Sequence, residues 1–422
     1  MLKLKKKTCS ARSSRLTLFA ILSLFFIDNF GMALVYPIFT PLILLSDYGF
    51  STPMMSSELK TFMLGFLILS FPLAQLLSAP IIGNLADIYG RKRAFFFTLI
   101  GEVIGYFLSG ISIEIKSYSL LIFSRLLTGF FAGNLIICLS SMSDICKSEG
   151  KRSKYFGLLA LTGALSFILA ILTGGAFSDR LINPRFNSAL PFWITTALAL
   201  LNLYIIFRFY KETHNENDRH KTSIKHFFNQ YLVFFRLKKI YLPTLSYFFF
   251  ILGWISSIQF LSLLVINDYG GNKKTVTALF LGIGIVWIIG NGLINLFLQK
   301  ILKPYTLAIL TLFFTTLLYF FISLKPSFQV FVSFYLFASL FASISWTNLV
   351  ASISLNANKA CQGKLLGFNQ GIATLAVVLS PLIAVNLLAF DPITLYYLVT
   401  AALFFSFICI FLSFMLSRRL KY

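Results

Sequence analysis

Apolar runs of about 20 residues recur along this chain, and no other feature constrains its fold as tightly. A helix needs about 20 mostly apolar residues to cross a bilayer. Twelve such runs can be read, at 16–43, 61–84, 94–113, 118–141, 155–177 and 190–209, then 243–266, 276–298, 304–323, 328–353, 365–389 and 394–416. Most connections are short. The exception runs from Tyr210 to Tyr241 and holds the polar stretch KETHNENDRHKTSIKH. The expected fold is therefore an all-α polytopic membrane protein, with twelve transmembrane helices in two six-helix bundles. Its parts are a basic tail (1–15), an N-terminal bundle (16–209), a central link (210–242), a C-terminal bundle (243–416) and a short tail (417–422). The second part of the link, Ile224 to Lys239, mixes aromatic and basic residues and suits either a helix on the membrane surface or a solvated linker. The first run continues past the 7–15 residues of a signal-peptide core and lacks a small-residue cleavage site, so it reads as a span.

Composition decides between this reading and a soluble basic protein. The formal net charge is +22, which by itself points to nucleic acid or another anionic partner. But 58% of residues are hydrophobic, only 12% are charged, 49 are Phe, and the mean hydropathy is +0.83. An ordinary soluble domain carries about 25% charged residues. With twelve spans, alternate loops share a side, and the side holding both termini and the link carries 28 of the 36 Lys and Arg. Positive residues favour the cytoplasm, so both termini are expected there and no nucleic-acid partner is implied. Cys9, Cys138, Cys146, Cys361 and Cys409 show no CxxC or metal spacing and read as structural thiols.

The two halves repeat. Lys154–Gly175 aligns without gaps with Lys364–Val385, pairing Lys154 with Lys364 and Gly157 with Gly367, and Asp47-Tyr48-Gly49 recurs as Asp268-Tyr269-Gly270. A pseudo-symmetric duplication of this kind is a transporter architecture, with the substrate path between the halves.

The segment GNLADIYGRKRAF (Gly83–Phe95), between the second and third spans, closely resembles the signature of the major facilitator superfamily. In it Gly83 suits close helix packing, Gly90 a tight turn, and Asp87 pairing with Arg91 or with a helix N-terminus, while Arg91-Lys92-Arg93 anchors the cytoplasmic side. Within that superfamily the first half is most similar to the twelve-span drug:proton antiporters, the tetracycline-exporter branch in particular. The similarity rests on Asp28-Asn29-Phe30-Gly31 leading to Pro37, Ser124–Gly129 in the fourth span, Asp144 closing it, and Lys211-Glu212-Thr213 ending the sixth. The second half resembles the branch less, best over Gln362–Gln370 and Ser380-Pro381. The resemblance implies the major facilitator fold, a monomer without cofactors, and transport of a small molecule coupled to protons, while the Phe-, Lys-, Ile- and Leu-heavy composition fits a bacterial inner membrane, with a eukaryotic organelle as the alternative. The resemblance also implies that Asp87 and Arg91 form a cytoplasmic latch with the end of span four near Asp144 and the start of span eleven. One departure bears on direction. The Gly-Pro that the antiporters carry in the fifth span is Ala170-Ile171 here, although Gly174-Gly175 remain.

Three charged residues fall inside spans, Asp28, Glu102 and Arg125. A charge near a helix centre costs about 2.5–3.5 kcal/mol on insertion scales, so these are the candidates for proton coupling. Asp28 is the first choice as proton carrier, balanced by Arg125; a static Asp28–Arg125 ion pair is the alternative. Glu102 lies one turn from the acid position of the tetracycline exporters, and a structural role is open for it too. Tyr36, Asn134, Trp254, Gln259, Trp346, Asn348 and Asn369 offer an aromatic wall with scattered amides, suited to an amphipathic organic substrate; interhelical hydrogen bonding is the alternative for any one amide. The functional expectation is proton-coupled export of such a compound, with import of a nutrient or metal chelate, or a non-transporting receptor, as alternatives. No catalytic or metal-binding constellation lies in a span, so an enzyme is not expected.

Overall fold

The computed structural model describes residues 11–45, 50, 54–145, 149–180, 182–213, 238–355, 362–388 and 393–419. Ten of its helical segments are individually long and apolar enough to cross a bilayer. The remaining two spans are the fourth, which is broken, and the fifth, in which only Leu161–Phe177 forms an unbroken stretch of described side chains.

Span one comprises α1 (Ala11–Ala33) and α2 (Tyr36–Leu44), separated where Pro37 enters the first turn of α2 without an N–H to donate. Span two is α3 (Ser57–Tyr89), started by the Ser56 hydroxyl, which accepts from Leu59 N–H at 3.2 Å. Span three is α4 (Arg91–Glu114), and span four joins α5 (Tyr118–Phe131) to α6 (Asn134–Ile145). Spans five and six are α7 (Glu149–Phe177) and α8 (Leu190–Phe209). The second half starts with α9 (Lys238–Asn267), which takes in residues 238–242 that the sequence reading gives to the link. Residues 214–237, the body of that link, lie outside the described residues. Span eight is α10 (Lys273–Ile289), a π-helical turn at Gly290–Ile294, and α11 (Asn295–Leu298). Spans nine to twelve are α12 (Pro304–Ser323), α13 (Phe328–Leu355), α14 (Gln362–Leu388) and α15 (Thr394–Arg419).

These helices are inverted relative to those of a soluble protein, as lipid requires. On α4 the exposed face is Phe97, Ile100, Ile104 and Phe107, each 45–48% accessible, while Thr98, Glu102, Ser109 and Ser112 are fully buried. Polar groups turned into the bundle find partners there: Ser109 and Ser124 hydroxyls meet at 2.8 Å between α4 and α5, and Asn202 Nδ2 on α8 donates to the Ser23 carbonyl at 2.9 Å. Close approach is bought by glycine at specific points. A side chain at Gly31 on α1 would collide with the Tyr106 hydroxyl of α4, and one at Gly129 on α5 with the Phe71 carbonyl of α3.

The halves meet through α3 against α14 and α7 against α10, that is, span two on eleven and span five on eight. A two-fold operation that exchanges the halves converts one pair into the other, in keeping with the sequence repeat. The contacts fall toward the ends of these helices opposite the basic side: Val385 packs on Gly65, Thr277 on Gly175, and Lys273 Nζ donates to the Ser178 carbonyl at 2.7 Å. There Lys273 is only 6% exposed. The Tyr36 and Phe280 rings stack across the same boundary, with centroids 5.5 Å apart.

Candidate functional site

The site is organised by the break in span four. Gly133 has the Ile82 side chain 2.8 Å from where a Cβ would stand, so only glycine fits without movement. The Ala132 carbonyl, which loses its helical partner at the break, accepts from Gln75 Nε2 of α3 at 2.7 Å. A polar group freed in mid-membrane must find such a partner. The new helix then starts at Asn134 and aims that side chain between α1 and α4.

Asn134 Nδ2 donates to Asp28 Oδ1 at 3.1 Å and to Glu102 Oε1 at 2.8 Å, while its Oδ1 accepts from Thr98 Oγ1 at 2.5 Å. Both amide hydrogens are thus used on carboxyl groups, which fixes the orientation of the amide. One amide thus brings the two carboxyl groups to the same point between α1 and α4. Carboxylates have no hydrogen to share, so a bond between them requires a proton on one. Glu102 is fully buried and Asp28 only partly so. The arrangement can hold a proton between two acids, of which Asp28 is the more accessible.

Arg125 is elsewhere. Its guanidinium sits over the rings of Phe71 and Phe39, 4.7 and 5.6 Å from their centroids, and Nε and Nη1 are buried with no hydrogen-bond partner. The ion pair with Asp28 that the sequence left open is not formed. Spans one and four do sit together, but at the level of Asp28 the neighbour from span four is Asn134, about two and a half turns' worth of chain beyond Arg125 and past the break. Arg125 instead lines a cavity of about 50 Å³ between the halves, with Tyr36, Phe39, Phe71 and Gln75 from the first half and Gln259 and Val377 from the second. Tyr106, fully buried with an unpartnered hydroxyl, lies within electrostatic reach of Arg125, Glu102 and Asp28 alike.

The other expected substrate residues divide. Tyr36 and Gln259 line the cavity, and Gln259 Oε1 accepts from Ser380 Oγ at 2.7 Å. Trp254 and Trp346 stack on either side of Trp287, at 5.0 and 5.7 Å between centroids, and Trp346 Nε1 donates to the Tyr247 hydroxyl at 2.9 Å. Asn134 and Asn348 are fully buried and committed to protein partners. Asn348 Nδ2 donates to Asn295 Oδ1 at 2.8 Å, and with Asn291, which accepts from Thr347 Oγ1 at 2.5 Å, it makes a polar seam along the π-helical turn of span eight. Both fit the interhelical-bond alternative. Asn369 is 4% exposed with its Oδ1 unpartnered.

At the basic end, one expectation changes and one partner is added. Glu212 supplies an acid at the N-terminus of α4. Its carboxylate accepts from Arg91 N–H at 3.2 Å and Lys92 N–H at 3.0 Å, the arrangement a helix N-terminus favours. Gly90 turns the chain there with φ +90°, and a side chain on it would meet Glu212 Oε2 at 2.7 Å. The Lys92 ammonium donates to the Phe207 carbonyl at 3.0 Å, completing the tie between spans three and six. Gly83 has open space where a Cβ would stand, so it is not a close-packing point. Asp87 is half-buried near the end of α3, one turn before Arg91. The Asp144 side chain and those of residues 362–367 lie outside the described residues, and with them the rest of the expected latch. Sequence reasoning passed over Thr98, Gln75, Tyr106 and the Phe39–Phe71 pair; the Ala132-Gly133 dipeptide inside an apolar run is the one local sign of the break.

The structure is thus a helical bundle of two related halves, with acids in one and a cavity between them. The model of the Major Facilitator Superfamily matches residues 21–325, and the chain belongs to that superfamily. It is 26% identical over 237 residues to the class H tetracycline resistance protein of Pasteurella multocida, covering 54% of this chain and 53% of that protein. It is 34% identical over 145 residues to multidrug resistance protein 3 of Bacillus subtilis, covering 34% and 27%. The chain thus spans about half or less of the length of these relatives. Among solved structures, the human organic anion transporter MFSD10 (TETRAN) superposes with a TM-score of 0.73 at 18% identity, over 94% of this chain and 99% of that one.

Proposed function

We propose that this transporter exports an amphipathic organic compound in exchange for protons, by alternating access, from a bacterial inner membrane with both termini in the cytoplasm. The observation that carries the reading is the Asp28–Asn134–Glu102 cluster. A proton on this pair satisfies both acids, and its loss leaves two like charges side by side in low dielectric, which favours a rearrangement of α1, α4 and α6. Asn134 passes that change to the broken span four, and the same span carries Arg125 to the cavity between the halves. The similarity to tetracycline and multidrug resistance proteins supports export, and the excess of Lys and Arg on one side supports the orientation.

Inverted membrane vesicles with an imposed proton gradient test the proposal. Tetracycline, ethidium and a panel of amphipathic compounds are added, and proton release is followed with a pH-sensitive dye. At least one compound should collapse part of the gradient with the wild type, and Asp28→Asn and Glu102→Gln should abolish that response at equal protein levels. An undiminished response in both variants sinks the cluster as the coupling site.

A further inference from the structure

Among the described residues, Arg125 is the single charged side chain lining the cavity between the halves, and its position raises a chemical question that proton coupling leaves open. A guanidinium is charged at any working pH. This one is 2% exposed, with Nε and Nη1 buried and lacking any acceptor. The faces of Phe71 and Phe39 return only part of the hydration it has lost. No acidic residue is among the described residues that line the cavity. The Asp28–Glu102 pair is turned toward Asn134, and Tyr106 stands within reach of both groups. Around Arg125 the walls are aromatic and aliphatic, from Tyr36 and Leu67 on one half to Val377 on the other. Gln259, from the second half, spends its carbonyl oxygen on Ser380 and keeps its NH₂ for an occupant.

We propose that Arg125 is the anchor for a negatively charged group of the substrate, and that the transported class is an amphipathic organic anion, a carboxylate or enolate on an aromatic or aliphatic body. This deepens the functional reading above and rests on it for the fact of transport. The anion takes charge-assisted hydrogen bonds from Arg125 of the first half and a neutral one from the Gln259 amide of the second. It therefore joins the two halves that alternating access must move apart. A cavity of about 50 Å³ admits the charged group alone; the apolar body of the substrate needs the halves to separate. The donor set also explains why the cavity combines one strong cation with apolar walls: the cation selects by charge and the walls by hydrophobic area, so no detailed match to a particular body is required.

The test is equilibrium binding to the purified full-length protein in nanodiscs, with three fluorescent probes that share the dansyl body and differ in charge: dansylglycine (anionic), its primary amide (neutral) and dansylcadaverine (cationic). The expected order is dansylglycine tighter than either of the others by tenfold or more. Arg125→Gln should lower dansylglycine affinity at least tenfold and leave the amide within threefold, whereas Arg125→Lys should retain the preference for the anion. If Arg125→Gln does not fold, Gln259→Leu provides the second reading, with a severalfold loss confined to dansylglycine. Equal binding of the three probes by the wild type, or tighter binding of the cation, overturns the proposal, as does an unchanged anion preference in a folded Arg125→Gln. The assay uses no gradient, so its outcome is separate from that of proton coupling: export of a cation driven by protons refutes this inference alone, and anion binding without proton movement refutes the other alone.

Discussion

Replacing Asn134 with Leu is the most informative single perturbation of the cluster. Leu has the same branching and a somewhat larger volume, so the change removes polar contacts without opening a cavity. Three side-chain hydrogen bonds disappear, to Asp28, Glu102 and Thr98. Interhelical hydrogen bonds in membrane helices are each worth about 0.6 kcal/mol on average and about 1.7 at most, so the variant should lose roughly 2–5 kcal/mol. Much of that loss falls on Glu102, which is fully buried and keeps a carboxyl group without its amide donor. Glu102→Gln should therefore relieve part of the damage. The double variant should be at least about 1 kcal/mol more stable than the two single losses predict by addition. Unfolding by SDS in mixed micelles, followed by the fluorescence of the four tryptophans, measures all members of the cycle. Additivity within about 0.3–0.5 kcal/mol would refute the argument that Asn134 and Glu102 act as one unit.

Other parts of the structure yield further expectations. Gly31→Ala places a methyl group on the Tyr106 hydroxyl and should destabilise the protein by about 1–3 kcal/mol, with recovery in Gly31→Ala/Tyr106→Leu measured by the same unfolding assay. Glu212→Ala removes the acceptor of two N–H groups at the start of α4 and should cost about 0.5–2 kcal/mol, while Glu212→Gln, which keeps an acceptor oxygen, should cost less; thermal unfolding separates them. Lys273→Met deletes the bond to the Ser178 carbonyl and should shift the population toward separated outer ends, read as longer distances between spin labels placed on the ends of α7 and α10. Reporter fusions at both termini of the full chain should be active only in the cytoplasm.

Patterns of period and charge were legible in the sequence. The apolar runs located the spans to within a few residues, because hydrocarbon thickness sets the length of any helix that crosses it. The gapless alignment of Lys154–Gly175 with Lys364–Val385 marked spans five and eleven as equivalents, and in the structure they take equivalent places, five on eight and eleven on two. Asp28, Glu102 and Arg125 were recognisable as a set because each is costly in lipid. Their partners were not recognisable. Hydropathy treats Asn134 as one polar residue among several, and nothing local says that a break at Ala132-Gly133 turns it onto two acids at once. The Glu212 acceptor at the start of α4 was passed over for a related reason. It is about 120 residues away in sequence and reaches the helix only because α8 returns beside α4.

By itself, then, the sequence determined that the chain lives in a bilayer, how often it crosses, which side its basic residues favour and which superfamily signature it bears. Those properties are set by transfer energies and by spacing along one chain, and both can be read residue by residue. Only the tertiary structure decided which charges meet. Coulombic and hydrogen-bonding partners are chosen by distances of a few ångströms between helices, and such distances depend on glycine contacts, a helix break and the crossing of distant spans. That is why one reading of the sequence paired Asp28 with Arg125, while packing gave Asp28 to Asn134 and Glu102 and left Arg125 facing the cavity between the halves.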